Sequence, residues 1–281
     1  GVANLKVAPG GKRIAFTVDV KLDLTVNELF KDLPKANARI IDGLLFRHWD
    51  AWHDYAYSHL HVASIKPDGT ADAAVDLMEG LKCDCPLGPF GGAEQIAWSP
   101  RGLEIAFIMK NVPNPAESTD SDLYLVSLEG DRKSVCLTTG MEGYDMDPVF
   151  SPDGRYIAFL SMASPGYEAD KRRIVIYDRR EQLLTDVSDA LDRTAHDLRW
   201  SPDGAFVYFR SEERGTEQIF RMTHADRTVL PVTTGRYNWA LHGVAQDGAR
   251  LLLGRTSMLA PQELASAQAS SRDSNMITSI N

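Results

Sequence analysis

The sequence predicts an all-β protein: a β-propeller of about five four-stranded antiparallel blades, with a helical insertion in blade one. Three observations carry this. A turn recurs as Ser99-Pro100-Arg101-Gly102, Ser151-Pro152-Asp153-Gly154 and Ser201-Pro202-Asp203-Gly204. Each copy runs into an apolar triplet: Ile105-Ala106-Phe107, Ile157-Ala158-Phe159 and Val207-Tyr208-Phe209. The turn prolines lie 52 and 50 residues apart, and a weaker copy at Gln246-Asp247-Gly248 begins 44 residues after Pro202. Propeller blades of four strands run roughly 40–50 residues.

The hairpin comes first in each unit. Pro presets φ at the first central turn position, Asp suits the second, and Gly accepts the left-handed position that follows. A third strand reads at Asp122-Leu123-Tyr124-Leu125-Val126, Arg173-Ile174-Val175-Ile176-Tyr177 and Gln218-Ile219-Phe220-Arg221-Met222. A polar turn such as Glu129-Gly130-Asp131 follows, and a fourth strand ends near Leu137-Thr138-Thr139-Gly140 or Val232-Thr233-Thr234-Gly235. A β-sandwich would share the strands but not this repeated four-strand order. The units are approximately 1–93, 94–140, 141–190, 191–235 and 236–281, forming one propeller domain over 1–281.

Pro9-Gly10-Gly11, before Ile14-Ala15-Phe16, is a further weak copy, and 91 residues separate Pro9 from Pro100. Residues 20–57 fill the excess. Within them Ile41, Leu44, Leu45, Trp49 and Trp52 lie three to four apart, which predicts an amphipathic helix over 37–52. The period returns to two at Ser58-His59-Leu60-His61-Val62, the third strand of blade one. The insertion therefore joins strands two and three. In an up-and-down blade such connections share a face with the blade-to-blade loops, here 111–122, 139–147, 161–172, 211–217 and 235–243. These are longer and richer in polar and aromatic residues than the opposite turns, so function is expected on their side.

The chain has 281 residues, 43% hydrophobic and 25% charged, the composition of a globular protein. No run of about 18 apolar residues is present, so no membrane span is expected. A net charge of −9 argues against nucleic acid as a partner, because phosphate binding needs a basic face. Gly1 stands where an initiator Met would and no leader is recognisable, so the expectation is a mature or trimmed fragment. Cys83 and Cys85 are too close for an easy disulfide and, with Cys136, make a poor zinc signature, so free or buried thiols are expected.

No Gly-x-Ser-x-Gly elbow, His-Glu-x-x-His, phosphate loop or EF-hand loop occurs. The expectation is no catalytic residue, no metal and no cofactor. His53, His59 and His61 form the one histidine cluster and read as structural rather than metal-binding. Asp145 and Asp147 suit a turn cap better than a calcium site. Glu168 and Asp170, beside Tyr167, offer carboxylates that hold either a cationic group or the neighbouring Lys171, Arg172 and Arg173. Arg47, His48 and Trp49, with Trp52, either line a cleft or pack the insertion onto blade one.

Taken with Pro89-Phe90-Gly91-Gly92, Gly143-Tyr144-Asp145, Gly166-Tyr167-Glu168-Ala169-Asp170-Lys171 and Gly215-Thr216-Glu217-Gln218, the segment around Arg47-His48-Trp49-Asp50 carries a family resemblance. The chain resembles the propeller portion of the prolyl oligopeptidase (S9) family of serine peptidases, in particular members of dipeptidyl-peptidase V and acylaminoacyl-peptidase type. The resemblance implies a Ser-Asp-His triad in a following α/β-hydrolase domain, absent from these residues, and a propeller that restricts access to short peptides. It implies a secreted or periplasmic protein whose partner is that hydrolase domain. It also implies seven or eight blades in the whole propeller, so that five alone would leave sheet faces free for self-association. Glu168, with Asp170 second, is the position implied to hold a substrate amine; Tyr167, Arg47, His48 and Trp49 complete the candidate binding residues. The alternative is a stand-alone propeller resembling the TolB type, which binds a protein through one face. A five-bladed carbohydrate-active enzyme would need converging carboxylates, and the inner-strand segments are mostly apolar.

Overall fold

The computed structural model describes residues 1–270 and 273–280. Among these residues five antiparallel four-stranded sheets follow one another in sequence, with one two-stranded hairpin besides. They fall into two compact units, residues 1–146 with 164–168, and residues 147–163 with 169–281.

The first unit holds blade one (Val2–Val7, Arg13–Lys21, Ala56–Ser64, Val75–Asp76) and blade two (Ile96–Trp98, Glu104–Met109, Asp122–Ser127, Ser134–Cys136). The two sheets share one core, in which Ala15, Leu60 and Val62 meet Ile105, Phe107 and Met109. The thiols expected to be free are free. Cys83 and Cys85 lie in this core, where burial pushes both thiols up, Cys83 to about 12. Such thiols are poor nucleophiles and behave as small apolar groups.

The second unit carries the rest. Blade three comprises Asp145–Phe150, whose first two residues belong to the first unit, with Tyr156–Ser161, Arg173–Asp178 and Leu183–Asp186. Blade four comprises His196–Trp200, Phe206–Glu213, Thr216–Thr223 and Val229–Pro231. Blade five comprises Asn238–Val244, Arg250–Ser257, Ala260–Gln268 and Ser274–Met276. In the second strand of blade three Ile157, Ala158, Phe159 and Leu160 are all buried, so both sheet faces are covered. That is why these strands read as continuous apolar runs rather than as alternation. Burying each large side chain contributes about 1.5–3 kcal/mol.

Two local devices repeat. In the turns of blades three and four the Ser hydroxyl donates to the Asp carboxylate, Ser151 to Asp153 and Ser201 to Asp203, each at 2.6 Å. The same carboxylates accept the main-chain N–H of Arg155 and Ala205 at 3.0 Å. At the far ends of the blades a hydroxyl accepts a main-chain N–H of the third strand: Thr138 from Leu123, Ser188 from Ile174, Thr233 from Ile219 and Thr278 from Leu264. Blade one replaces that hydroxyl with the Met78 sulfur, 3.4 Å from the Leu60 nitrogen. There the buried His59 supplies the polar link instead, with Nδ1 2.8 Å from Asp76 and Nε2 2.8 Å from the Leu81 carbonyl.

The amphipathic helix expected over 37–52 does not form. The helical turn in the insertion is Val26–Leu29, closed by a capping box between Thr25 and Glu28. Farther on, Arg47–His48 pairs with Ala51–Trp52 across a tight turn in which Trp49 takes a φ of 51°, a left-handed conformation no helix tolerates. The intended stripe has no surface to bury against: Ile41, Leu44, Leu45, Trp49 and Trp52 are 46–66% exposed. Arg39 organises the segment instead, with its guanidinium 4.9 Å from the Trp52 ring centre and 5.6 Å from that of Tyr55.

Candidate functional site

The connection between strands two and three of blade three leaves the sheet at Ser161 and returns at Arg173. Asp170 ties its base, accepting the N–H of Ala163 at 2.9 Å and of Lys171 at 2.8 Å. The tip, residues 164–168, belongs to the first unit. There Gly166, at a φ of 74°, donates its N–H to Thr119 Oγ1 at 2.8 Å. A side chain at position 166 would meet nothing nearby, so Gly is required by the backbone angle alone.

This bracing leaves Tyr167 and Glu168 pointing outward, Tyr167 59% exposed and Glu168 also exposed. The cations that could neutralise Glu168 locally are committed elsewhere. Lys171 donates to the carbonyl of Leu191 at 2.8 Å, Arg172 to His196 Nδ1 at 3.1 Å, and Arg173 lies 3.7 Å from Asp186. Glu168 has no hydrogen bond or ion pair among the described residues. Asp170, by contrast, is occupied in holding the loop.

The surroundings within the first unit are acidic. Lys110 donates to the carbonyls of Pro115 and Ser118, which fixes the loop 111–121. Burial draws the Lys110 ammonium below the usual lysine range, and the carboxylates of Asp120 and Glu168 oppose that. Asp120 is pushed above the usual carboxylate range by burial, and then by Asp122 and Glu142. An electrostatic field set by Asp120, Asp122, Glu142 and Glu168 favours a cation, and Lys110 answers only part of it. Sequence reasoning missed Lys110, Asp120 and Glu142. The available signal was the polar run Ser118-Thr119-Asp120-Ser121-Asp122 in an equivalent connection of blade two.

The second candidate group lies in the insertion of blade one. Arg47 turns back on its own hairpin, donating to the Trp49 carbonyl at 2.7 Å. The His48 ring meets Trp49 edge-on at 4.7 Å, and Trp49 meets Phe90 at 5.6 Å. Trp49 and Phe90 remain 66% and 81% exposed. No described contact joins this group to the Glu168 loop, although both belong to the first unit and to connections between second and third strands. His61 stacks on Phe16 at 5.9 Å. Asp145 is buried with its main chain bonded to Ser121, and Asp147 has a φ of 55°. No cluster of three metal-type side chains occurs among the described residues.

Comparison with known proteins adds four findings. A model of the TolB β-propeller domain family (PD40) matches residues 95–281. Dipeptidyl-peptidase 5 of Porphyromonas gingivalis is 32% identical over 266 residues; the match covers 94% of this chain and 38% of that protein. Among solved structures, Pyrococcus horikoshii acylaminoacyl peptidase superposes with a TM-score of 0.66 at 14% identity, over 100% of this chain and 38% of that one. A putative TolB from Agrobacterium tumefaciens superposes with a TM-score of 0.59 at 16% identity, over 99% and 80%. These likenesses establish the propeller fold and match the resemblance read from the sequence to the propeller portion of S9 peptidases.

Proposed function

Because the chain belongs to the TolB β-propeller (PD40) family, we propose that it is the non-catalytic, substrate-gating propeller of a serine exopeptidase of dipeptidyl- or acylaminoacyl-peptidase type. The proportion of the match supports this: nearly all of the chain aligns with 38% of a dipeptidyl peptidase. The remainder of such a protein has room for the α/β-hydrolase domain that supplies the triad. A periplasmic or secreted location belongs to the same proposal.

The observation that carries a role in substrate binding is Glu168, an exposed carboxylate on a braced loop whose neighbouring cations are bonded elsewhere. A dipeptide's free α-ammonium would pair with it through charge-assisted hydrogen bonds. Tyr167 would flank that amine, and Arg47, His48 and Trp49 would narrow the approach from blade one. Specificity then comes from steric exclusion of large chains together with preference for a free N-terminus.

The test is Glu168→Gln in the full enzyme. kcat/KM for substrates with a free N-terminus should fall about tenfold or more, the cost of one charge-assisted contact. N-acylated substrates should be unaffected. Equal kinetics on free-amine substrates would remove Glu168 from the site. The TolB-type superposition supports a second reading, a propeller that binds a protein through one face. A serine-directed fluorophosphonate probe separates the two: labelling of the whole protein favours the peptidase.

A further inference from the structure

A cleft of about 790 Å³ opens in the first unit at the turn end of the blades, opposite the connections discussed above. Its walls are the blade-one hairpin turn, the turn after Ser64, and the blade-two turn. Lys12, Arg13, Lys66 and Arg101 all line it, and no carboxylate does. The concentration of positive charge is notable in a chain of net charge −9.

The cations are held, not merely adjacent. Arg13 donates one Nη1 hydrogen to the Gly102 carbonyl at 2.8 Å, which fixes its guanidinium beside the blade-two turn. Gly102 is packed so closely on blade one that a Cβ would lie 3.0 Å from the Pro9 carbonyl oxygen. The two turns therefore form a continuous floor. Lys66 shares its charge with Asp72 at 3.3 Å. Lys12 and Arg101 are exposed, and their side chains have no hydrogen bond or ion pair among the described residues. Lys12, Arg13 and Arg101 thus bring three positive charges to one cleft with no carboxylate paired to them among the described residues.

Arg101 is the departure that matters. The corresponding residues of blades three and four, Asp153 and Asp203, clamp their own turns. Arg101 gives up that clamp and adds a cation to the cleft that Lys12, Arg13 and Lys66 also line, a gathering of like charge that an anion would offset. A single carboxylate neutralises one charge, whereas a phosphate monoester carries about two and a diphosphate about three. Guanidinium groups match phosphate oxygens bidentately. The volume suits a small organic ligand, and Pro9, Pro67 and Leu103 give it apolar walls.

We propose that this cleft binds a phosphorylated organic anion of diphosphate type. It is independent of the peptidase reading.

Calorimetric titration of the intact protein with pyrophosphate at fixed ionic strength tests it. Saturable one-to-one binding is expected, weakened about tenfold or more in Arg101→Asp and further in Arg101→Asp with Lys12→Ser. Orthophosphate should bind more weakly than pyrophosphate. R101D restores the turn of the other blades, so loss of binding there is not loss of folding, and a melting temperature no lower than the parent's checks this. Co-sedimentation with phosphatidylcholine vesicles, with and without phosphatidic acid, distinguishes the source: retention only with phosphatidic acid, abolished by R101D, assigns the same phosphate chemistry to a lipid headgroup. Pyrophosphate heats equal to those of chloride, together with no selective vesicle retention, would overturn the proposal. So would binding by either ligand that R101D leaves unchanged.

Discussion

Trp200 donates its indole N–H to the main-chain carbonyl of Val149, 3.3 Å away. The link joins the first strand of blade four to that of blade three. Trp98 makes the same link from blade two to the Lys6 carbonyl of blade one at 3.2 Å. Both tryptophans stand immediately before a Ser-Pro turn, so one sequence position builds the hairpin and staples it to the preceding blade. Blade three has Phe150 there, which packs but cannot donate. Trp200→Phe should therefore fold, yet leave the Val149 carbonyl without its partner and lose about 1–2 kcal/mol. Urea unfolding should show a lower midpoint with an unchanged slope.

The turn clamp makes a prediction about acid. Asp153 and Asp203 are held below the ordinary carboxylate value of 3.8, chiefly by the Ser151 and Ser201 hydroxyls. Asp178 is drawn to about 2, chiefly by its bond to Arg155. A depressed folded-state value contributes stability that is complete above the unfolded value and lost as pH falls through the folded one. Stability should hold down to about pH 4 and fall between about pH 4 and 2. Asp178→Asn should flatten that fall, measured as the melting temperature across the range.

Arg101 offers the converse experiment. Ser99 Oγ already accepts the Glu104 N–H at 3.1 Å, so the blade-two turn has the frame of the others without its carboxylate. Arg101→Asp should add the missing clamp and relieve repulsion with Lys12 and Lys66. The expected gain is about 0.5–1.5 kcal/mol in ligand-free buffer, read from the denaturation midpoint. A loss would mean that the blade-two turn differs from its counterparts.

The hydroxyl at the end of each blade should be sensitive to an isosteric change. Thr233 accepts the Ile219 N–H at 2.8 Å, donates to Gln218 Oε1 at 2.8 Å, and is 2% exposed. Thr233→Val keeps the volume and strands both partners away from water, at a cost of about 1–3 kcal/mol. Hydrogen exchange at the Ile219 amide should accelerate more than at Phe209 in the same blade.

The repeated turns, the four-strand order and the Thr-Thr-Gly ends could be read from residues because each rests on contacts within one blade. The helix expected over 37–52 could not be judged that way. Apolar residues three to four apart specify a helix only when a surface exists to bury them, and Trp49 and Leu44 find none. The difference between Glu168 and Asp170 was likewise invisible in sequence. It depends on loop closure: the N–H of Ala163 reaches Asp170, and Thr119 of another loop reaches Gly166. Arg101 was visible as a departure from the turn pattern, but its neighbours Lys12 and Lys66 meet it only through folding.

That difference between the two carboxylates yields the last prediction. Glu168 has no described bond within the protein, so Glu168→Gln should leave the melting temperature unchanged while raising KM for free-amine substrates. Asp170 holds the loop through the Ala163 and Lys171 amides. Asp170→Ala should remove about 1–3 kcal/mol of charge-assisted bonding from the loop base. Its kinetic defect should reach N-acylated substrates too, because a slack loop displaces Tyr167 as well as Glu168. Limited proteolysis should cut D170A faster between 163 and 170 and leave E168Q as resistant as the parent. If E168Q were the variant with the loosened loop, Glu168 would be bracing the loop and Asp170 would inherit the claim on the substrate amine.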